Sequence, residues 1–320
     1  MRRSRQNIRR RRKRSGCLPI ILISLFVLLL GGTFYVWRAY SSIRDSLDSV
    51  YSEKPAEQQM KREQQVQIVD GKKQPFSVLL LGIDTGEYGR EGGGRSDVML
   101  VATVNADTKR VTITSIPRDT RTEIVGYGME DKINHAYAFG GSAMSVNSVQ
   151  NLLDIPIDYT FTIDMGGFEK VIDAVGGVYI TPSSTFNIDG YQFYEGQTMH
   201  MDGFTALQYV RFRSDGEGDY GRQKRQRELI TAIVKAMVDA ETLVSYDAIL
   251  ESLEGVVTMD MTFDEISSVI RNYSSAANNI ENYQLSGTGT TIDGVYYDIP
   301  DAASIEEIST RIKKELELTQ

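Results

Sequence analysis

The sequence predicts an α/β fold, a three-layer α/β/α sandwich with a mixed central sheet, preceded by one transmembrane helix. Strand-like and helix-like patterns alternate along most of the 320 residues, which is typical of layered α/β domains. The run "FSVLLLGID" is almost continuously apolar and suits a strand that is covered on both faces. With 41% hydrophobic and 24% charged residues, the chain can bury one large core.

The amino terminus differs sharply in charge from the rest of the chain. Residues 1–14 hold nine of the 35 Lys and Arg residues and no acid. The remaining 26 basic residues face 43 Asp and Glu residues, a net charge of -17, although the whole chain carries -8. A basic tail before an acidic body favours contact with a membrane or a nucleic acid through the tail.

An uncharged stretch of 20 residues, 18–37, follows the tail and predicts the transmembrane helix. As a helix it spans about 30 Å, the thickness of a bilayer core, and Phe34, Tyr35 and Trp37 lie at its far end. The positive tail places the amino terminus in the cytoplasm and the body outside the cell. A cleaved signal peptide is disfavoured because the run is long and no convincing cleavage site follows. The single cysteine, Cys17, precedes this stretch, so disulfides contribute nothing to the body.

These patterns divide the chain into four predicted parts. They are a cytoplasmic basic tail (1–17), a transmembrane signal-anchor helix (18–37), a polar extracellular spacer (38–74) and one folded domain (75–320). Within the domain we predict strands at 76–84, on either side of a turn at 105–108, and at 157–164, 178–181 and 294–300. Helices are predicted at 142–153, 165–177, 205–213, 222–240, 263–276 and 303–318.

Two acids follow or precede predicted strands. Asp84 ends the first strand, and Asp97 lies just before the apolar part of the second. Strand ends in open α/β sheets form ligand crevices, and two carboxylates together with phosphate oxygens could hold Mg²⁺. The alternative is that each aspartate merely caps a turn. The glycine-rich segment between them lacks the Gly-Lys-Ser/Thr ending of a phosphate-binding loop.

Arginines gather in three segments of this acidic body. Arg95 precedes Ser96-Asp97, Arg118 follows a predicted strand in "SIPRDTR", and six basic residues fall between positions 211 and 227. Guanidinium groups match phosphate oxygens bidentately, so several of them could engage one diphosphate. The alternative is a solvated charged helix whose arginines pair with its own acids.

Other catalytic chemistries find little support in the sequence. The two histidines, His135 and His200, lie near no recognisable nucleophile motif, and they are too few for an outer zinc site. Phosphoryl transfer needs mainly positioning and charge neutralisation, which arginines and aspartates supply.

Eight segments stand in an order and spacing that resemble the LytR-CpsA-Psr family. They are "LLLGID", "RSDVMLV", "SIPRDTR", "DKINHAYAFGG", "IPIDY", "GFEKVIDAVGGV", "ALQYVRFR" and "GDYGRQKRQRELI", and they cover residues 76–240. Eight ordered segments are far more specific than any one of them.

The resemblance implies a membrane-anchored phosphotransferase. Such an enzyme moves a teichoic acid, capsule or similar glycopolymer from undecaprenyl pyrophosphate to the C6 hydroxyl of peptidoglycan muramic acid. The partners implied are this lipid-linked polymer, peptidoglycan and membrane lipid, without nucleic acid, and the cofactor is Mg²⁺ or Mn²⁺. By motif, Asp84 and Asp97 would hold the metal, and Asp219 would act as a base. Arg118 and Arg213 would be catalytic, and the pyrophosphate would contact Arg95, Arg118, Arg211, Arg213, Arg222, Arg225 and Gln226.

Two alternative functions remain open from the sequence. One is a non-enzymatic membrane regulator of envelope functions with a lipid-sensing outer domain, although the short tail offers a nucleic acid only sequence-independent charge. The other is a pyrophosphate hydrolase, which would use the same site residues.

Overall fold

The computed structural model describes residues 38, 41, 44, 50–69, 72–84, 94–213, 216, 218–237, 255 and 257–318. The predicted tail and transmembrane helix lie outside these residues. Among the described residues, no helix has the length and apolarity needed to cross a bilayer.

A six-stranded mixed sheet forms the centre of the domain. Its strands are β1 (Phe76–Asp84), β2 (Arg95–Asn105), β3 (Arg110–Ser115), β6 (Tyr159–Asp164), β11 (Val257–Met259) and β12 (Ile280–Gln284), in the order β11-β6-β1-β2-β3-β12. β1 runs parallel to β6 and antiparallel to β2, and β12 runs parallel to β3. The mixed α/β fold predicted from the sequence is confirmed, and β11 and β12 are strands that the sequence did not predict.

Four two-stranded sheets accompany the central one in the described part of the chain. They are β4 (Arg121–Ile124) with β5 (Met129–Lys132), β7 (Val178–Ile180) with β10 (Met199–Met201), β8 (Phe186–Ile188) with β9 (Tyr191–Phe193), and β13 (Gly287–Ile292) with β14 (Val295–Pro300). β7 and β14 were predicted. The other six are three to six residues long, and such short strands carry weak patterns.

Helices cover both faces of the central sheet. They are α1 (His135–Leu153), α2 (Met165–Ala174), α3 (Gly203–Arg211), α4 (Gly218–Met237), α5 (Phe263–Tyr273) and α6 (Ala302–Glu315). α1 and α6 bury Val146, Val149, Ile308 and Ile312 against Leu79 and neighbouring strand residues. α2, α4 and α5 lie on the opposite face, where their apolar residues surround a cavity.

Several helix boundaries differ from the prediction. α1 begins at His135, seven residues before the predicted start, and is kinked at Gly140 and Gly141. Gly141 has a φ of 62°, which strongly favours glycine. α3 ends at Arg211, since Phe212 is extended, and α4 begins at Gly218 rather than Arg222. The sequence therefore placed Arg213 on a helix that stops two residues earlier.

The spacer interpretation is wrong for residues 50–69. Val66 and Ile68 are buried in one cluster with Phe76 and Tyr159, and Val50 is also buried. Ion pairs add to this packing, with Arg62 Nε lying 2.7 Å from Asp158 Oδ1. The packing of this segment could not be predicted from the sequence, because its few apolar residues are separated by many polar ones and follow no regular periodicity.

Candidate active site

An irregularity in the central sheet directs Asp97 out of the regular strand pattern. Gly82 pairs with Val98 and Ile83 pairs with Ser96, so Asp97 is an extra residue on β2. Such β-bulges turn a side chain and are common beside active sites. The two strands approach closely here, because a Cβ on Gly82 would lie 2.8 Å from the Cβ of Val98.

The turn after β3 presents Arg118 to this bulge. Arg118 Nη1 lies 3.1 Å from Asp97 Oδ2, and Arg118 Nε lies 3.5 Å from Asp119 Oδ2. Lys132 Nζ, from β5, lies 2.8 Å from the other oxygen of Asp119. Backbone bonds fix the turn, since the Asn134 N–H donates to the carbonyl of Arg118.

The first turns of α4 complete what we call the charged cluster, consisting of Asp97, Arg118, Asp119, Asp219 and Arg222. Asp219 forms an ion pair with Arg222 and accepts a hydrogen bond from Gln223 Nε2 at 2.9 Å. Arg222 is only 4% exposed, and the described partners leave its Nε without a hydrogen bond. Acids and arginines from β2, the turn after β3, and α4 thus meet in three dimensions.

The electrostatics differ between the two arginines of the cluster. Burial opposes the charge of Arg118, but Asp97, Asp119 and Asp219 outweigh burial and raise its pKa. Burial lowers the pKa of Arg222 to about 10, and the charges of Arg118 and Arg213 contribute to the lowering, while Asp219 partly opposes it. Arg222 is therefore a buried cation, and an anion placed beside it would stabilise its charge.

An apolar cavity of about 320 Å³ lies beside the charged cluster. Strand residues such as Val78, Leu80 and Val98 line one side, and Phe168 of α2 and Ile233 of α4 line the other. Val98 directly follows Asp97 in the sequence. The cavity and the cluster are therefore neighbours along β2.

One face of α4 connects the two features. Arg222 lies in the cluster, Gln226 lines a small gap next to Val98, and Ile230, Ile233 and Met237 line the cavity. The 15 residue steps from Arg222 to Met237 correspond to about 22 Å of helix. A molecule with an anionic head and an apolar tail would match this arrangement.

The remaining predicted site residues occupy different positions. Arg95 and Arg211 are exposed, and Arg213 is exposed but close enough to influence the pKa of Arg222. Asp84 pairs with Arg95 across β1 and β2. Gln226 is half-buried among apolar side chains, one helical turn beyond the cluster.

Arg225 is a correction to the predicted set. It is 2% exposed, its Nη2 donates to the carbonyl of Phe212, and its guanidinium lies 5.3 Å from the centre of the Phe212 ring. Its spacing from Arg222 suggested a shared face, but the side chain packs against the segment that leads to Arg213. Arg225 therefore supports the fold of this segment, and its contact with a pyrophosphate stays a prediction.

The two histidines bond to residues outside the charged cluster. His135 Nδ1 lies 2.7 Å from Asp131 Oδ2, and His200 Nε2 lies 2.9 Å from the carbonyl of Gly176. Asp119, Lys132, Tyr220 and Asp298 belong to the site or adjoin it but were missed. Asp119, Lys132 and Tyr220 lie inside the sequence segments that resemble the family. Their positions in those segments could have indicated that they belong near the site.

The family model described as the LytR_cpsA_psr family matches residues 39–314. The chain belongs to the LytR_cpsA_psr family. The match includes residues 50–69, in agreement with their packing on the domain.

Relatives in this family are named as transferases. The polyisoprenyl-teichoic acid–peptidoglycan teichoic acid transferase TagU of Bacillus subtilis is 38% identical over 98% of this chain and 99% of its own length. TagU of Enterococcus faecalis is 39% identical over 92% of this chain and 95% of its own length. The LytR_cpsA_psr chain described here is accordingly a transferase.

Solved structures show the same fold. The crystal structure of Bacillus subtilis TagU matches with a TM-score of 0.64 and 36% identity, over 78% of this chain and 99% of that one. The structure of TagT bound to LI-WTA matches with a TM-score of 0.68 and 29% identity, over 83% of this chain and 99% of that one.

Proposed function

We propose that this transferase moves a glycopolymer from undecaprenyl pyrophosphate to the C6 hydroxyl of muramic acid in peptidoglycan. The bond formed is a phosphodiester. The observation that carries the proposal is the meeting of Arg118 and Arg222 with Asp97 and Asp219 beside an apolar cavity. The teichoic acid transferase names of the relatives and the wall teichoic acid ligand of TagT support it.

The donor would bind with its two chemically different parts in the two different regions. The diphosphate would contact Arg118, Arg222 and Arg213, and its negative charge would offset the burial and repulsion that lower the pKa of Arg222. The isoprenoid tail would fill the apolar cavity, where burial stabilises it by about 25 cal/mol per Å².

The transfer itself requires one bond to form and one to break. The acceptor hydroxyl oxygen attacks the phosphorus that carries the glycan, and the bridging bond to the lipid phosphate breaks, which releases undecaprenyl phosphate. Asp219, whose side chain is 31% exposed, would take the hydroxyl proton. Arg118 and Arg222 would stabilise the charge that develops on the leaving phosphate.

The residues present fit a divalent cation that is completed by the substrate. Asp84 and Asp97 lie near the same end of adjacent strands, and Mg²⁺ typically binds one or two carboxylates plus phosphate oxygens. Within the described part of the chain, no group of three or more His, Cys, Asp or Glu side chains is arranged to hold a metal. Bound there, Mg²⁺ or Mn²⁺ would neutralise charge on the diphosphate.

We also propose that the enzyme acts at the outer surface of the cell membrane. Residues 18–37 would form a single span, with the basic tail in the cytoplasm. The cavity would then receive its lipid from the same bilayer that anchors the enzyme.

The test uses the full-length protein in detergent micelles with undecaprenyl-pyrophosphate-linked glycan, Mg²⁺ and peptidoglycan. We expect a glycan joined to peptidoglycan through a phosphodiester, together with undecaprenyl phosphate. Release of free glycan phosphate without a peptidoglycan product would instead identify a hydrolase.

A further inference from the structure

The last hairpin of the chain, β13–β14, contacts both sides of the charged cluster through one residue, Asp298. The backbone N–H of Asp298 donates to the carbonyl of Asp119 at 2.9 Å. Its side-chain Oδ2 accepts a hydrogen bond from the hydroxyl of Tyr220 at 3.0 Å. Asp119 follows Arg118 on the turn after β3, and Tyr220 follows Asp219 in the first turn of α4.

The charges on these two sides of the cluster both attract and repel. Arg118 of the turn is attracted by Asp219 of α4, whereas the positive charges of Arg118 and Arg222 repel each other. Because the two contributions oppose each other, charge by itself does not fix the spacing of the turn from the helix. A connection between the two elements would therefore keep the cations at the spacing that a diphosphate needs.

The environment of Asp298 is built closely around its carboxylate. The residue is 4% exposed, and Oδ1 has no hydrogen-bond partner among the described residues. A Cβ on Gly287 would lie 2.3 Å from Oδ1, so any larger residue at Gly287 would displace the carboxylate. The Gly287 N–H in turn donates to the Tyr220 hydroxyl at 3.2 Å, which fixes the ring from a second direction.

A buried carboxylate is a costly way to stabilise a fold. Replacing buried charged or polar groups by apolar ones of similar size is often neutral or stabilising, so their retention can indicate a role in specifying geometry. The position of Asp298 between the two cationic elements supplies such a role.

We infer that Asp298 and Tyr220 are positioning residues that hold the Arg118 turn and the α4 amino terminus at the spacing required for diphosphate transfer. The inference rests on the proposed function and makes the carboxy-terminal hairpin part of the active site. Neither residue contacts the reacting atoms in this account. Their effect passes through Arg118, Asp219 and Arg222.

The test compares full-length variants in detergent micelles, with a disaccharide linked to polyprenyl diphosphate as donor and peptidoglycan as acceptor. We expect Tyr220→Phe and Asp298→Ala each to lower kcat about tenfold while KM for the donor changes by less than about threefold, because preorganised charges act mainly in the transition state. Asp298→Asn keeps a hydrogen-bond acceptor and should restore kcat to within about threefold of the unsubstituted protein. The double variant Tyr220→Phe/Asp298→Ala should be no slower than either single variant, since both break one connection.

Tyr297→Phe is the matched control. Its hydroxyl lies on the same hairpin and donates to Asp131 at 3.3 Å. Removal of this hydroxyl should leave kcat unchanged. An unaltered kcat in Tyr220→Phe would overturn the inference, as would a loss explained entirely by a lower folded fraction at the assay temperature. The reaction product separates the two proposals. A protein that releases free glycan phosphate and makes no peptidoglycan product would refute the proposed function, and a rate of this cleavage about tenfold lower in Tyr220→Phe would still retain the positioning role.

Discussion

The charged cluster and the apolar cavity lie next to each other but are built in opposite ways. The cluster draws single side chains from β2, the turn after β3, and α4, and it depends on a bulge at Asp97 and a helix start at Gly218. The cavity is lined by alternate residues of regular strands and by helix faces. Single substitutions in the cluster should therefore cause large losses of activity. Substitutions in the cavity should change lipid binding gradually, in step with the volume of the side chain.

The largest expected effect is at the cationic side chains. Arg118→Ala or Arg213→Ala should lower kcat/KM at least about 1000-fold, because each removes a guanidinium group that we propose contacts the diphosphate. Steady-state transfer of lipid-linked glycan measures this effect, with thermal melting to show that the fold persists. Arg121→Ala is the control, three residues after Arg118. It removes a partly exposed ion-pair partner of Glu130 and should retain activity. Retained transfer in both active-site variants would refute the assignment.

The next effect concerns the metal. Asp97→Asn should lower activity about 100-fold and abolish its response to added Mg²⁺, since the carboxylate is a proposed ligand. A titration of activity against Mg²⁺ concentration measures both changes. An unchanged Mg²⁺ dependence would place the cation elsewhere, and Asp97 would then act only through its ion pair with Arg118.

A smaller effect is expected from filling the cavity. Ile233→Trp should weaken binding of undecaprenyl pyrophosphate about tenfold and leave binding of inorganic pyrophosphate unchanged, because only the tail requires the cavity. Calorimetric titration with both ligands measures the difference, and Ile233→Val is the size-reducing control. Equal weakening of both ligands would show that the two regions are not separable.

The last effect is on stability and leaves transfer unchanged. Burial raises the pKa of Asp260, between two cavity residues, to about 6, despite a backbone hydrogen bond from Thr160 and the charge of Lys54, with Glu265 nearby adding to the rise. The folded state then binds more protons than the unfolded state between pH 4 and pH 6, so stability falls as pH rises through this range. Asp260→Asn should raise the free energy of unfolding at pH 7 by up to about 3 kcal/mol and flatten its pH dependence. Denaturant unfolding at pH 4 and pH 7 tests this, and a fall in stability at pH 7 would contradict it.

Residue chemistry made much of the cluster predictable. Asp97, Arg118, Asp219 and Arg222 were selected from the sequence, and the structure brings them together. Arg225 was selected on the same grounds but packs against Phe212 outside the cluster, because helical spacing alone does not reveal which neighbouring segment a helix face contacts. Asp298 escaped notice because its role depends on a contact between residues 119, 220 and 298, which are far apart in the chain.

The sequence by itself determined the alternation of strands and helices, the gathering of arginines in an acidic chain and the apolar stretch at residues 18–37. These properties follow from composition and short-range periodicity, which the unfolded chain already carries. Tertiary structure decided which arginine faces the cluster, that residues 50–69 close one end of the hydrophobic core, and that the last hairpin contacts the site. Such outcomes depend on which distant surfaces pack together, and local sequence patterns do not encode that choice.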